Sequence, residues 1–173
     1  FLSMYLSSVG FNWPKNVQEF LTYGTHGPGP AALGKKAWSS EDYSQLSSTS
    51  IGGMCWARVI NRKFISGNLT ATIAWNLVDS YYDGLTFSNK GLMRANKPWS
   101  GHYIVDTPIW ASAHTTQFTS PGWRYLPVGA GSGWLERGGS YVTLISPSGA
   151  SHIDGTTGTP DVTVVIEKMD PKL

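Results

Sequence analysis

The sequence has 173 residues, 40% of them hydrophobic, and a formal net charge of +2. This small charge comes with no basic run, so the composition gives no basis for nucleic-acid binding, and no apolar stretch reaches the roughly 20 residues that span a bilayer. The length suffices to fill one domain core. Residues 1–22 lack the charged start and small-residue cleavage site of a signal peptide, and they remain unassigned.

The first predicted element is a short strand that starts at Lys35 and delivers a carboxylate at its C-terminal end. Alternation along a strand predicts that Ser39 and Glu41 share one face and that Asp42 lies on the other. An inward glutamate at the C-terminal mouth of a barrel strand is typical of a catalytic position. Because serine, aspartate and glutamate also occur in helix N-caps, these residues alone are compatible with a catalytic carboxylate and with a helix cap.

A helix and a second strand are predicted next. Four apolar side chains recur at helical spacing: Trp56, Val59, Ile60 and Phe64. Gly67 is the expected helix stop, and residues 68–78 form a strand that ends in the aromatic–amide pair Trp75 and Asn76. Strand, helix and strand make one β/α unit, whose two strand ends are expected to face one pocket.

The remaining elements change character along the chain. Residues 80–90 form a polar, aromatic excursion that is expected to build a pocket wall. A short helix over residues 108–118 follows, with Thr107 as a candidate cap. A period of two then predicts antiparallel strands within residues 123–126, 140–145 and 162–167.

Seven sequence blocks together resemble glycoside hydrolase family 59, the galactosylceramidase family, in order and in near-family spacing. They are residues 34–44 (GKKAWSSEDYS), 72–78 (TIAWNLV), 91–93 (GLM), 98–103 (PWSGHY), 112–119 (SAHTTQFT), 121–123 (PGW) and 138–142 (GGSYV). The resemblance implies an α/β-plus-β fold: the C-terminal portion of a (β/α)8 TIM barrel over residues 23–119, then the start of an antiparallel β-sandwich over residues 120–173. Since family enzymes are far longer, the chain resembles an internal fragment.

The resemblance also implies the site residues. Glu41 matches the nucleophile of a retaining glycosidase, and the acid/base glutamate is expected upstream of this chain. Ser44 and Trp75 match positions that line the galactose pocket. The family usually has a tyrosine near Phe87, so that side chain loses a hydroxyl contact but keeps a ring that can stack.

Two further positions carry expectations about covalent modification. Asn68 begins the sequon Asn-Leu-Thr and matches a glycosylated position of the family. Cys55 is the sole cysteine, and on the residues alone it is best interpreted as a buried small hydrophobe. The family resemblance instead implies a disulfide, with a partner just beyond Leu173.

No zinc spacing, calcium loop or phosphate loop stands out, so the sequence predicts no cofactor and no metal. By resemblance, the chain contributes to removal of terminal β-galactose from galactosylceramide and related sphingolipids in the lysosome, where a saposin-type protein presents the lipid. The isolated fragment is expected to be inactive and poorly soluble. Two alternatives stay open: a non-catalytic carbohydrate-binding product, or a retaining β-glycosidase with another sugar specificity.

Overall fold

The computed structural model describes residues 35–44, 48–86, 88–148 and 158–168, which form a mixed α/β structure. Its elements in chain order are β1 (Ala37–Asp42), α1 (Ser50–Gly67), β2 (Leu69–Ala74), β3 (Val78–Ser80), β4 (Met93–Ala95), a 3₁₀ turn (Pro98–Ser100), β5 (Ile104–Val105), α2 (Thr107–Thr116), β6 (Arg124–Tyr125), β7 (Gly133–Trp134), β8 (Ser140–Ile145) and β9 (Val162–Glu167). Residues 1–22 and most of the connection between β8 and β9 lie outside the described residues.

The predicted strand–helix–strand unit is confirmed: β1 and β2 are parallel neighbours in one sheet, and α1 connects them. The helix begins after Thr49, whose hydroxyl accepts a hydrogen bond from the Gly52 amide at 3.2 Å. It includes Gly67, and the left-handed residue that ends it is Asn68, with φ of 51°. The predicted stop is therefore displaced by one residue, because asparagine also tolerates this conformation.

Helix α1 packs closely against α2. A Cβ at Gly53 would lie 2.9 Å from Thr107 Cβ, so the lack of a side chain there lets the two helices approach. The Trp56 indole also donates a hydrogen bond to Ser112 Oγ at 2.8 Å. These contacts fix α2 beside the β/α unit.

The start of α2 differs from the predicted cap. Asp106, and not Thr107, is the N-cap residue, and Pro108 occupies the first turn. The Asp106 side chain makes no capping bond because it pairs with Arg94 of β4, at 2.6 Å and 3.1 Å. Thr107 is the first helical residue, and its hydroxyl donates to the Thr49 carbonyl at 2.5 Å.

A second small sheet follows the β/α unit. Strand β3 pairs with β4 in parallel, and β4 pairs with β5 in antiparallel orientation. Strand β3 begins four residues after β2 ends, so the single strand predicted over residues 68–78 is interrupted at residues 75–77.

The antiparallel strands predicted after Gly122 are confirmed. Strand β8 pairs with β6, β7 and β9, always in antiparallel orientation. Strand β7 lies in a glycine-rich segment and has only two residues, so it is too short to be predicted from alternation of side chains. No helix in the described part of the chain is long and apolar enough to cross a membrane.

The hydrophobic core joins α1 to the antiparallel sheet. Phe64 of α1 is buried with Val142, Leu144 and Val165, and its ring stacks on Tyr125 with centroids 4.2 Å apart. The core therefore crosses the boundary predicted near residue 119.

Buried polar groups reinforce this junction. The Asn61 amide on α1 donates to the carbonyls of Ser140 and Val165, at 3.5 Å and 3.3 Å. Buried Glu167 accepts from the Ser140 hydroxyl at 2.7 Å and pairs with Arg58 at 3.4 Å. Because these partners lie on α1 and on the neighbouring strands β8 and β9, they fix the orientation of the helix on the sheet.

Candidate active site

The parallel pairing of β1 and β2 brings Glu41 and Trp75 to the same sheet edge. Parallel strands end at one edge, Glu41 is the penultimate residue of β1, and Trp75 follows β2 directly. The Trp75 amide donates to the Asp42 carbonyl at 2.5 Å, so one hydrogen bond links the two chain segments. Sequence reasoning predicted this juxtaposition from the ends of the two strands.

Glu41 is exposed and makes no hydrogen bond or ion pair with any of the described residues. Its position therefore depends on the backbone of β1. Ser39 pairs with Thr72 and Asp42 pairs with Ala74, so β1 advances three residues where β2 advances two. Such an irregularity behaves as a bulge, which redirects a side chain and often lies next to an active site.

This irregularity corrects the simple alternation predicted for β1. Ser39 and Asp42, predicted on opposite faces, are both buried, whereas Glu41 between them is exposed. The extra residue shifts the phase of the strand, and sequence alone does not reveal it because it depends on the pairing with β2.

Asp42 is tied to the helix that follows it. Its carboxylate lies 2.7 Å from the Lys63 ammonium of α1, and the two side chains are 9% and 19% exposed. The second carboxylate oxygen, Oδ2, is buried without a hydrogen-bond partner among the described residues. The two adjacent carboxylates thus have different environments: Glu41 is exposed to solvent, and Asp42 is paired with Lys63.

Ser44 is fully buried, and its hydroxyl donates to the Gly52 carbonyl in the first turn of α1 at 2.6 Å. This bond anchors the segment after β1 to the helix. Phe87, the remaining predicted substrate contact, lies outside the described residues.

The segment after β2 is anchored on both sides. The Trp75 side chain is 52% exposed, and the peptide bond between Trp75 and Asn76 is cis. The carbonyls of Asn76 and Leu77 accept from the amides of Leu92 and Met93, at 3.0 Å and 2.9 Å. The exposed indole therefore sits on a backbone held between β1 and β4.

Sequence reasoning missed a cation beside this edge. The Lys90 ammonium lies 4.5 Å from the centre of the Tyr43 ring, and Tyr43 follows β1 directly. The Lys90 amide donates to the Asp79 carboxylate at 2.8 Å, which holds the loop in place. No periodic pattern marks this contact, because its partners come from three separate segments.

A second aromatic group follows β3 and β4. Tyr82 and Trp99 meet edge to face with centroids 5.9 Å apart, and Trp99 is 73% exposed. Arg94 lies 5.4 Å from the Tyr81 ring, and its hydrogen bonds to Asp106 raise the pKa of its guanidinium. This ion pair supports the loop that carries the aromatic residues.

The two predicted modification positions belong to α1 and its C-cap. Asn68 is exposed at the end of α1, and Cys55 lies half-buried on the same helix as a free thiol. Within residues 35–44, 48–86, 88–148 and 158–168, no three His, Cys, Asp or Glu side chains assemble a metal site.

Comparison with known proteins then assigns the family. The glycosyl hydrolase family 59 profile matches residues 8–117, which is more than half of the sequence. The chain belongs to this family. The match starts within the segment left unassigned and ends at the close of α2.

Individual relatives agree with this assignment. Galactocerebrosidase from Mus musculus is 50% identical over 152 residues, which cover 84% of this chain and 20% of the mouse protein. The Homo sapiens galactocerebrosidase is 51% identical over 150 residues, which cover 86% of this chain and 20% of the human protein. A putative galactocerebrosidase from Caenorhabditis elegans is 30% identical over 162 residues, covering 90% and 22%. The chain thus spans about a fifth of the length of these curated relatives.

Proposed function

We propose that this chain forms part of a retaining glycoside hydrolase that removes terminal β-galactose from galactosylceramide and related sphingolipids. One observation carries the proposal. Glu41 is an exposed carboxylate at the C-terminal end of a parallel strand in a family 59 chain, and the exposed ring of Trp75 follows the neighbouring strand at the same end of the sheet. Identity of about 50% to galactocerebrosidases supports this substrate class.

The proposed architecture is the C-terminal portion of a (β/α)8 barrel over residues 23–119, followed by the start of a β-sandwich over residues 120–173. The parallel β1–α1–β2 unit supports the first part and the antiparallel sheet around β8 supports the second. Catalytic residues of such barrels lie at the C-terminal ends of strands, which is the position of Glu41.

Glu41 acts as the nucleophile in the proposed mechanism. Its carboxylate attacks the anomeric carbon, the bond to the leaving oxygen breaks, and that oxygen takes a proton from a second carboxyl group. Water then hydrolyses the galactosyl ester, and the second group accepts the water proton. Retention requires the two carboxyl groups to lie about 5–5.5 Å apart. We assign the second group to the part of the longer enzyme that precedes this chain.

Three side chains are proposed to form part of the galactose pocket. Trp75 stacks on the sugar face, and Phe87 supplies a second ring without the usual hydroxyl. The hydrogen bond from Ser44 to Gly52 favours a role in orienting the segment after Glu41 over direct contact with a sugar hydroxyl.

The cellular setting is likewise a proposal. A saposin-type protein presents the lipid in the lysosome, Asn68 carries a glycan, and Cys55 forms a disulfide with a cysteine outside this chain. The exposure of Asn68 supports glycosylation, and the free thiol of Cys55 leaves its sulfur available for pairing.

The proposal is tested with the full coding sequence that contains this chain. Hydrolysis of an aryl β-galactoside at acidic pH is compared for the unaltered enzyme, Glu41→Gln and the control Glu136→Gln, which replaces another exposed glutamate. We expect activity to fall at least roughly 10⁴-fold in Glu41→Gln and to persist in Glu136→Gln.

Chemical rescue adds a second readout. In Glu41→Ala, added azide attacks the anomeric carbon from the α face, which the missing carboxylate leaves open. The aryloxide departs from the β face, and the product is α-galactosyl azide. Absence of this product, together with full activity of Glu41→Gln, would exclude Glu41 as the nucleophile.

A further inference from the structure

We propose that the partly buried ion pair between Asp42 and Lys63 is a positioning device that orients Glu41 toward the substrate. The inference rests on the proposed function, because it assigns a role relative to the nucleophile. In this inference, Asp42 and Lys63 act without contacting the substrate, and helix α1 influences the site through the position of Glu41.

Glu41 is held in place by the backbone of β1. This carboxylate makes no hydrogen bond or ion pair with the residues that the structure describes, and it lies in the stretch of β1 where pairing with β2 is irregular. A side chain in a bulge takes its direction from the backbone on either side. The anchors of Glu41 are therefore the paired residues that flank it, Ser39 and Asp42.

Asp42 is the more strongly fixed of these two anchors. Its backbone pairs with Ala74 and accepts the Trp75 amide at 2.5 Å, which fixes it relative to β2. Its side chain reaches Lys63 of α1 at 2.7 Å, which fixes it relative to the helix. Asp42 thus ties together the strand end, the neighbouring strand and the helix, one residue from the nucleophile.

The Asp42 carboxylate depends on Lys63 for its charge compensation. The carboxylate is 9% exposed, and its Oδ2 atom has no hydrogen-bond partner within the described residues, so the Lys63 ammonium provides its main compensation. Removing Lys63 leaves a buried, uncompensated charge that is relieved by moving the strand end toward solvent. That movement displaces Glu41, and a misplacement of about 1 Å in a catalytic group costs roughly 100-fold in rate.

The experiment uses the full-length enzyme and 2-deoxy-2-fluoro-β-galactosyl fluoride. The nucleophile displaces fluoride from this reagent and forms a stable galactosyl ester, so the inactivation rate constant reports nucleophile placement, and the concentration for half-maximal rate reports binding. Asp42→Asn and Lys63→Met are compared with Arg58→Met, which removes another partly buried cation from the same helix, one paired with Glu167. Lys63→Arg tests whether another cation at this position preserves the inactivation rate constant.

We expect the inactivation rate constant to fall roughly 10- to 100-fold in Asp42→Asn and Lys63→Met, with half-saturation changed less than about threefold. Lys63→Arg is expected to recover most of the rate, and Arg58→Met to retain it despite a comparable loss of melting temperature. If Asp42→Asn does not fold, the comparison among the Lys63 and Arg58 variants decides the question.

Two results overturn the inference and are distinguishable. If the unaltered enzyme is not labelled at Glu41, the proposed function fails and the inference fails with it. If the unaltered enzyme is labelled at Glu41 but the Lys63→Met and Arg58→Met variants react at equal rates, the inference alone fails.

Discussion

Trp75 combines an exposed ring with an anchored backbone. Its side chain is 52% exposed, while its amide is bonded to Asp42 and the next two residues are bonded to the start of β4. An exposed indole adds little to folding, but a ring on a fixed backbone suits the proposed stacking on a sugar. The backbone of Trp75 is thus fixed by hydrogen bonds, while its indole ring remains exposed to solvent.

Replacing Trp75 tests this division of roles. We expect Trp75→Ala to lower kcat/KM for a β-galactoside about tenfold, since stacking is worth about 1 kcal/mol or slightly more. Trp75→Phe should keep part of the rate, and the melting temperature should change little in both variants. Trp134→Ala is the matched control, because Trp134 is equally exposed and lies in the antiparallel sheet. Equal losses in the Trp75→Ala and Trp134→Ala enzymes would count against a sugar-binding role.

At the scale of elements, α1 serves two structures at once. Its Lys63 meets the end of β1, and its Phe64 lies in the core with β8 and β9. Asn61 and Arg58 bond to the same antiparallel sheet from the preceding turns. The β/α unit and the antiparallel sheet are therefore expected to unfold together.

Truncating Phe64 tests this coupling. Phe64→Ala removes a ring that is 5% exposed and is expected to lower the free energy of unfolding by about 3–5 kcal/mol. Because the core is shared, urea unfolding followed by tryptophan fluorescence and by circular dichroism should give one coincident transition. Separate transitions would mean that the helix and the sheet are independent units.

Tyr125 gives this junction a pH dependence. Burial against Phe64 raises the pKa of the Tyr125 hydroxyl above its ordinary value of 10.0. The folded state therefore holds this proton more tightly than the unfolded state, and its stabilising contribution is present below about pH 10 and lost as pH rises through the folded-state pKa. Urea titrations from about pH 8 to about pH 11 should show a steeper loss of stability in the unaltered protein than in Tyr125→Phe. Parallel curves would contradict this assignment.

At the scale of the whole molecule, strand β9 leaves an apolar stripe in solvent. Alternate side chains point outward, and Val162, Val164 and Ile166 are 58%, 52% and 64% exposed. An apolar face of this kind on a strand favours association between copies.

The 173-residue polypeptide is accordingly expected to associate when expressed by itself. Changing Val162, Val164 and Ile166 together to threonine should raise the soluble fraction and lower the sedimentation coefficient toward that of a monomer. Val165→Thr is the control, because Val165 is 9% exposed on the opposite face and its loss should weaken the core. A soluble fraction unchanged by the triple substitution would show that another surface drives association.

Local periodicity predicted much of this structure. The spacing of Trp56 and Phe64 indicated α1 and its buried face, and the period of two indicated β8 and β9. The placement of Glu41 and Trp75 at the same end of the parallel sheet was predictable from the ends of two strands in one β/α unit. Each of these features is set by residues close in sequence, which is why the sequence sufficed.

Features that depend on distant partners were not predictable in this way. The irregular stretch of β1 requires the register with β2, and the ion pair of Asp42 with Lys63 joins residues on different elements. Thr107 does not cap α2, because its hydroxyl bonds to the Thr49 carbonyl, and the N-cap residue Asp106 makes no capping bond, because its carboxylate pairs with Arg94. Local propensity gives way wherever tertiary contacts supply a competing partner.

The most direct test of Glu41 as the nucleophile is peptide mass spectrometry of the full-length enzyme after reaction with 2-deoxy-2-fluoro-β-galactosyl fluoride. We predict one added fluorogalactosyl group on the peptide that contains Glu41, with fragmentation placing it on that residue and not on Asp42. A label on any other carboxylate, or an enzyme that turns over β-galactosides without becoming labelled, would contradict the assignment.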